Sequence, residues 1–147
     1  MRWRVEILAV AILAGCATAP MPQPDMSDAN AGWKILQGQA VWKPKGGDGI
    51  AGELLVATNR VGDFVVEFAK PPITIAHAQR SADRWSVAFP AQKKSYRGRG
   101  SGPGRVIWLH LPPALAGRDQ QWLVTTNANG WRISNKRGET LEGFLSP

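Results

Sequence analysis

From Trp33 onward, apolar residues alternate with polar or small ones over short runs. That is the period-two pattern of a strand with one buried face, and no stretch sustains the 3.6-residue period of an amphipathic helix. Strands are expected over 33–42, 50–58, 63–69, 73–79, 84–89, 121–126, 131–135 and 140–145. Between them lie runs with turn chemistry at 45–49, 59–63, Pro71-Pro72 and 127–130, where Gly, Pro, Asn and Asp cluster. Successive hairpins predict an antiparallel meander.

Alternation also assigns faces. Leu54, Val56, Phe64, Val66, Phe68, Ile73, Ile75, Trp85, Val87 and Phe89 share one side, whereas Glu53, Glu67, Thr74 and Ser86 mark the other. A greasy sheet face must be covered or closed on itself. The only candidate cover lies in 106–117, where Pro112-Pro113 is expected to start a single helical turn through Ala114 and Leu115 that Gly117 ends. One turn cannot cover a whole sheet. The expected fold is therefore mainly β, a curled antiparallel sheet forming a barrel or half-barrel, with at most one or two short helical turns.

The N-terminus reads differently. Arg2 and Arg4 precede an apolar run over 7–15, too short for the roughly 20 residues of a membrane-spanning helix. It ends in Leu13-Ala14-Gly15-Cys16, which matches the lipobox of bacterial lipoproteins. Residues 1–15 are thus expected to be a signal peptide and Cys16 a lipid-bearing residue that attaches the protein to a membrane. Residues 16–32 then form the lipidated cysteine and a flexible tether rich in Pro, Asp and small residues, and 33–147 a single antiparallel β domain. In Gram-negative lipoproteins the residue after the cysteine carries sorting information. Here it is Ala17 rather than Asp, which points to the outer membrane, with the domain facing the periplasm.

Cys16 is the only cysteine, which excludes disulfide frameworks and cysteine-based metal sites. Losing Arg2, Arg4 and Glu6 with the signal lowers the net charge from +7 to +6. A basic chain is drawn to anionic headgroups. Nucleic acid is not an expected partner, since no nucleic-acid motif is present. No paired carboxylates, nucleophile elbow or His-rich spacing supports an enzyme, a metal or a cofactor. His77, in parity with Ile73 and Ile75, and His110, between two leucines, read as neutral, hydrogen-bonded histidines at the margin of a core. The glycine-rich run 98–104 fails G-x-G-x-x-G and is no phosphate cradle. The same region carries Lys93, Lys94, Arg97, Arg99 and Arg105 with no acidic residue among them. It reads either as a mobile basic arm contacting headgroups or as a solvated hairpin loop. Six tryptophans follow the signal, suited to core, pocket wall or interface.

Taken with the lipid-attached cysteine, the tether and the curled sheet, the chain resembles the LolA/LolB-like fold, most closely LolB-type outer-membrane lipoproteins. The resemblance rests on Gly38-Gln39-Ala40-Val41-Trp42, the hairpins after it, and Arg105-Val106-Ile107-Trp108-Leu109-His110-Leu111-Pro112. It implies that the greasy concave face, with Leu54, Val56, Phe64, Val66, Phe68, Trp85, Val87 and Phe89, holds acyl chains of a client lipoprotein or lipid. A different class of reading remains open: a structural envelope lipoprotein with a closed core that docks to a protein assembly or the cell wall.

The complete lipobox generates a direct expectation. Intact-mass measurement of membrane-extracted protein should give a chain beginning at Cys16 with added acyl mass, and Cys16→Ser should leave an uncleaved or mislocalised precursor. A mature N-terminus beyond residue 16 without lipid mass would refute it.

Overall fold

The computed structural model describes residues 21–147, so the expected signal peptide and Cys16 lie outside the described residues. The strands are β1 (Lys34–Lys43), β2 (Ile50–Thr58), β3 (Phe64–Lys70), β4 (Ile73–Ser81), β5 (Arg84–Phe89), β6 (Lys94–Arg99), β7 (Leu123–Asn127), β8 (Gly130–Ser134) and β9 (Thr140–Ser146). One helix, α1 (Ile107–Leu115), separates β6 from β7, and single 3₁₀ turns occupy Ala29–Ala31 and Pro90–Gln92. All nine strands form one antiparallel sheet in the order β6-β5-β4-β3-β2-β1-β9-β8-β7. The chain lays down six strands as a meander, crosses the sheet through α1, and returns with three more on the far side of β1. The sheet is mainly β as expected, curled and open, with β6 and β7 as its free edges.

Two of the hairpins use one loop design. In Asn59-Arg60-Val61-Gly62-Asp63, Asn59 Oδ1 accepts the N–H groups of Val61 (3.1 Å) and Asp63 (2.9 Å). In Asn135-Lys136-Arg137-Gly138-Glu139, Asn135 Oδ1 accepts those of Arg137 (2.9 Å) and Glu139 (3.1 Å). The glycine of each takes the left-handed backbone the turn requires, with φ 94° at Gly62 and 87° at Gly138.

Curvature has a sequence cause as well. Gly52, Ala40 and Gly143 sit side by side across β2, β1 and β9. A Cβ on Gly143 would lie 2.2 Å from the Gln39 carbonyl oxygen, so the backbones approach there as only glycine permits. In β4 a bulge opposite Phe68 and Ala69 resets the alternation. It turns Ala76 and Ala78 inward and puts His77 on the outer face, 3.7 Å from Glu67, which corrects the parity that grouped His77 with Ile73 and Ile75.

Those two alanines make room for α1, which lies in the concave face against β3, β4, β5 and β7. The helix is two and a half turns rather than the single turn expected from Pro112, and both prolines lie inside it. Each proline removes one intrahelical N–H donor, so the helix depends on its packing in the sheet rather than on its own hydrogen bonds. Ile107, Trp108, Leu109, His110, Leu111, Pro112 and Ala114 are all buried, the mark of a helix enclosed by its own protein. Trp108 is the wedge: its ring stacks on Phe68 of β3 at 5.1 Å and meets Trp42 of β1 edge-on at 5.3 Å. Gly117 ends the helix as expected, at φ 71°. Its N–H bonds to the Ala114 carbonyl and that of Arg118 to Pro113, a Schellman closure.

His110 is buried and hydrogen-bonded on both nitrogens, Nδ1 to the Asp119 carboxylate and Nε2 to the Pro103 carbonyl at 3.0 Å. The histidine thereby ties the chain entering α1 to the chain leaving it.

The segment before β1 lies against the domain. Gln79 Nε2 donates to the Met21 carbonyl at 3.1 Å, and the Arg60 N–H to that of Ala31 at 3.5 Å. From Met21 onward, the stretch expected to be a loose tether is therefore held on the sheet.

If the Trp108 wedge organises the core, Trp108→Ala should lower the unfolding free energy by about 3–5 kcal/mol, the usual cost of emptying a large aromatic site. Urea denaturation measures this, and a loss under about 1 kcal/mol would show the wedge to be dispensable.

Candidate functional site

At one end of the half-barrel α1 stops short of the sheet and leaves a cavity of about 450 Å³. Strand β5 supplies Trp85, Val87 and Phe89, and β6 supplies Lys94, Tyr96 and Arg97. Pro103, Arg105 and Val106 to Trp108 close the side where the helix begins, and Trp42 and Glu139 close the far side. The walls are aromatic and aliphatic, and the cations stand at an exposed rim. Concave apolar sites with a few converging polar groups are where small ligands bind, usually in 300–1,000 Å³.

Trp85 is placed by two features. Its Nε1 donates to the Arg99 carbonyl at 3.1 Å, tying the β6 edge to β5. Its ring rests over Gly98, where a Cβ would sit 2.6 Å from it. Glu139, at the end of the β8–β9 loop, accepts the Trp42 indole N–H at 2.9 Å. Burial raises the Glu139 carboxyl above the ordinary carboxylate range, and the Trp42 hydrogen bond opposes that shift.

The residues expected to line an acyl site divide. Leu54, Val56, Phe64, Val66 and Phe68 lie in the packed core and do not border the cavity. Trp85, Val87 and Phe89 do. Of the basic group, Lys94, Arg97 and Arg105 line the cavity. Lys93 caps the 3₁₀ turn before β6, and Arg99 pairs with Asp83 at 3.2 Å. Three of the five basic residues, Lys94, Arg97 and Arg99, lie on the edge strand β6, and Arg105 lies in the loop that leads into α1. Sequence reading raised Trp42 and Trp108 only among six tryptophans suited to core, pocket wall or interface, and missed Tyr96 and Glu139. The alternation in β1 carried a signal for Trp42, but nothing local marks Glu139, which reaches the cavity only because β9 pairs with β1.

A larger hollow of about 960 Å³ lies on the convex side, over β2, β1, β9, β8 and β7. It is wide, lined by apolar residues such as Leu123, Trp131 and Phe144 among polar ones, and crossed by the 3.7 Å ion pair Arg132–Glu142. The smaller cavity is the better candidate, because it joins aromatic walls, converging charges and a carboxyl displaced by burial. Compared with known proteins, the chain matches no family model and no curated protein.

The Glu139 shift has a pH signature. A carboxyl whose value is raised on folding favours the folded state in acid, and that contribution is lost as pH rises from 4.5, its ordinary value, through the raised one. Glu139→Gln keeps an acceptor for Trp42 and cannot ionise. The variant should melt higher than the parent at neutral pH, and the difference should vanish below about pH 4. Thermal melts across this range check it; a gap independent of pH would assign the effect to something other than ionisation.

Proposed function

We propose that the chain is a non-catalytic outer-membrane lipoprotein with a LolB-like half-barrel, anchored through lipid on Cys16 and facing the periplasm. It binds the acyl chain of a lipid or client lipoprotein and assists lipoprotein localisation or envelope biogenesis. The observation that carries this reading is the meeting of two residue sets at one opening. Trp85, Val87 and Phe89 offer an acyl chain a wall, and Lys94, Arg97 and Arg105 offer an anionic head a rim. An amphiphile needs both. A cavity of about 450 Å³ suits a single chain rather than a whole bilayer lipid.

The packed state of Leu54, Val56, Phe64, Val66 and Phe68 supports the second reading, a structural lipoprotein with a closed core that docks to an assembly or the cell wall. The two readings separate on binding. The non-lipidated chain should take up a fluorescent fatty-acyl probe one to one, shift tryptophan emission to shorter wavelength through Trp85, and melt higher when loaded, because ligand stabilises only the native state. Val87→Trp should weaken uptake at least tenfold while costing about 1–3 kcal/mol of stability. Lys94→Gln with Arg105→Gln should weaken an anionic-headed probe more than a fatty alcohol. No saturable uptake and no rise in melting temperature would favour the structural reading.

A further inference from the structure

The convex face of the sheet is buried in one place although no helix among the described residues covers it. Ala57 on β2, Val65 on β3 and Gln79 on β4 stand in register across the strands, and the same row continues through Ser86 on β5 to Arg97 on β6. Ala57, Val65 and Gln79 are 0, 4 and 3 % exposed. What lies over them is the N-terminal segment. The Gln79 amide donates to the Met21 carbonyl, Met21, Pro24 and Met26 are partly buried, and the Ala31 carbonyl meets the β2–β3 loop at Arg60. Residues 21–31 thus form a strap from β4 back toward the start of β1.

We propose that Gln79 clamps this strap so that the lipid on Cys16 holds the β6 edge, and not the β7 edge, against the membrane. The inference rests on the lipoprotein reading of Cys16. Cys16 is five residues from the clamped Met21, a reach of at most about 17 Å. The β6 edge is two strands from β4, about 10 Å, whereas β7 is six strands away, about 29 Å along the sheet. A free tether starting at Trp33 would have no such preference. The two edge strands themselves differ in the same sense: β6 is Lys-Ser-Tyr-Arg-Gly-Arg, whereas β7 is Leu-Val-Thr-Thr-Asn, with no charge. Anionic headgroups are the surface that a basic edge selects. The same orientation brings the cavity mouth, which β6 borders, to the bilayer.

The test uses the full, processed lipoprotein in vesicles of zwitterionic phospholipid with a headgroup-level quencher, so that the basic residues do not orient the domain without the clamp. Two exposed sites report separately, Ser95→Cys on β6 and Thr125→Cys on β7, each carrying a fluorophore. The Ser95 probe should be quenched several-fold more than the Thr125 probe. Gln79→Ala should remove most of that contrast. Should that variant fail to fold, inserting about ten Gly and Ser residues after Ala17 leaves the domain untouched, adds a coil reach of roughly 17 Å, and should remove the contrast equally. Equal quenching of the two probes in the parent, or a contrast that survives the insertion, overturns the clamp. Intact mass on the same sample separates this from failure of the premise, since protein without acyl mass overturns the lipoprotein reading itself.

Discussion

Trp108 and the short helix that carries it set the terms for everything around them. A nine-residue helix that is apolar on all sides has no stable existence in water, and it contains two prolines that weaken its own hydrogen bonding. It forms because the sheet wraps it. Contact with Phe68 on one side and Trp42 on the other means that one indole links the β3 and β1 regions of the curved surface. The small inward residues Ala76 and Ala78, and the bulge that turns them inward, make room for this wedge, while the close approach at Gly143 draws β9 against β1. Ile133 of β8 and Leu141 of β9 join the same core, so the returning strands are held by the wedge as well as by pairing.

The length of the wedge then decides where the hollow falls. Nine helical residues span about 13.5 Å, less than the five-to-nine-residue strands the helix packs against. The C-terminal turn is sealed by the Gly117 closure and by Asp119 on His110. The N-terminal end has no side-chain cap: Val106 occupies that position. Uncapped N–H groups and the positive end of the helix dipole therefore adjoin the cavity, on the same side as Arg105. The features that close one end of the half-barrel and leave the other open also leave the open end favourable to negative charge.

Strand positions, faces and the need for curling were legible because they depend on alternation and turn residues, which are local. Strand β2 lies at 50–58 and β5 at 84–89, as the alternation indicates. Less legible was whatever tertiary contact decides. The Lys94–Arg99 strand is fully polar except for Tyr96 and Gly98, so no alternation betrayed it; it exists as an edge because β5 offers it hydrogen bonds. The start of α1 was hidden by its continuous apolar run, which has no period, and by a proline pair that locally argues for a later beginning. The site was half legible for the same reason. Its wall on β5 could be read from alternation, whereas the division between residues under the helix and residues at its open end depends on how long the helix is.

The two matching hairpin loops show how little separates scaffold from site. Both place an acidic residue directly after the left-handed glycine. In the first, Asp63 is short and turns back on the backbone, accepting the Ala82 N–H at 2.8 Å and the Asn59 amide at 3.2 Å. Ala82 has φ 53°, a conformation that a non-glycine residue holds only when the surroundings insist, and the Asp63 bond is one of the constraints on it. In the second loop Glu139 has one more methylene, and its carboxyl extends to Trp42 in the wall of the cavity. The loop design fixes the direction of departure in both cases. Side-chain length alone then sends one carboxylate into the frame of the fold and delivers the other to the mouth, where burial displaces its ionisation and the same tryptophan that holds it also grips the wedge.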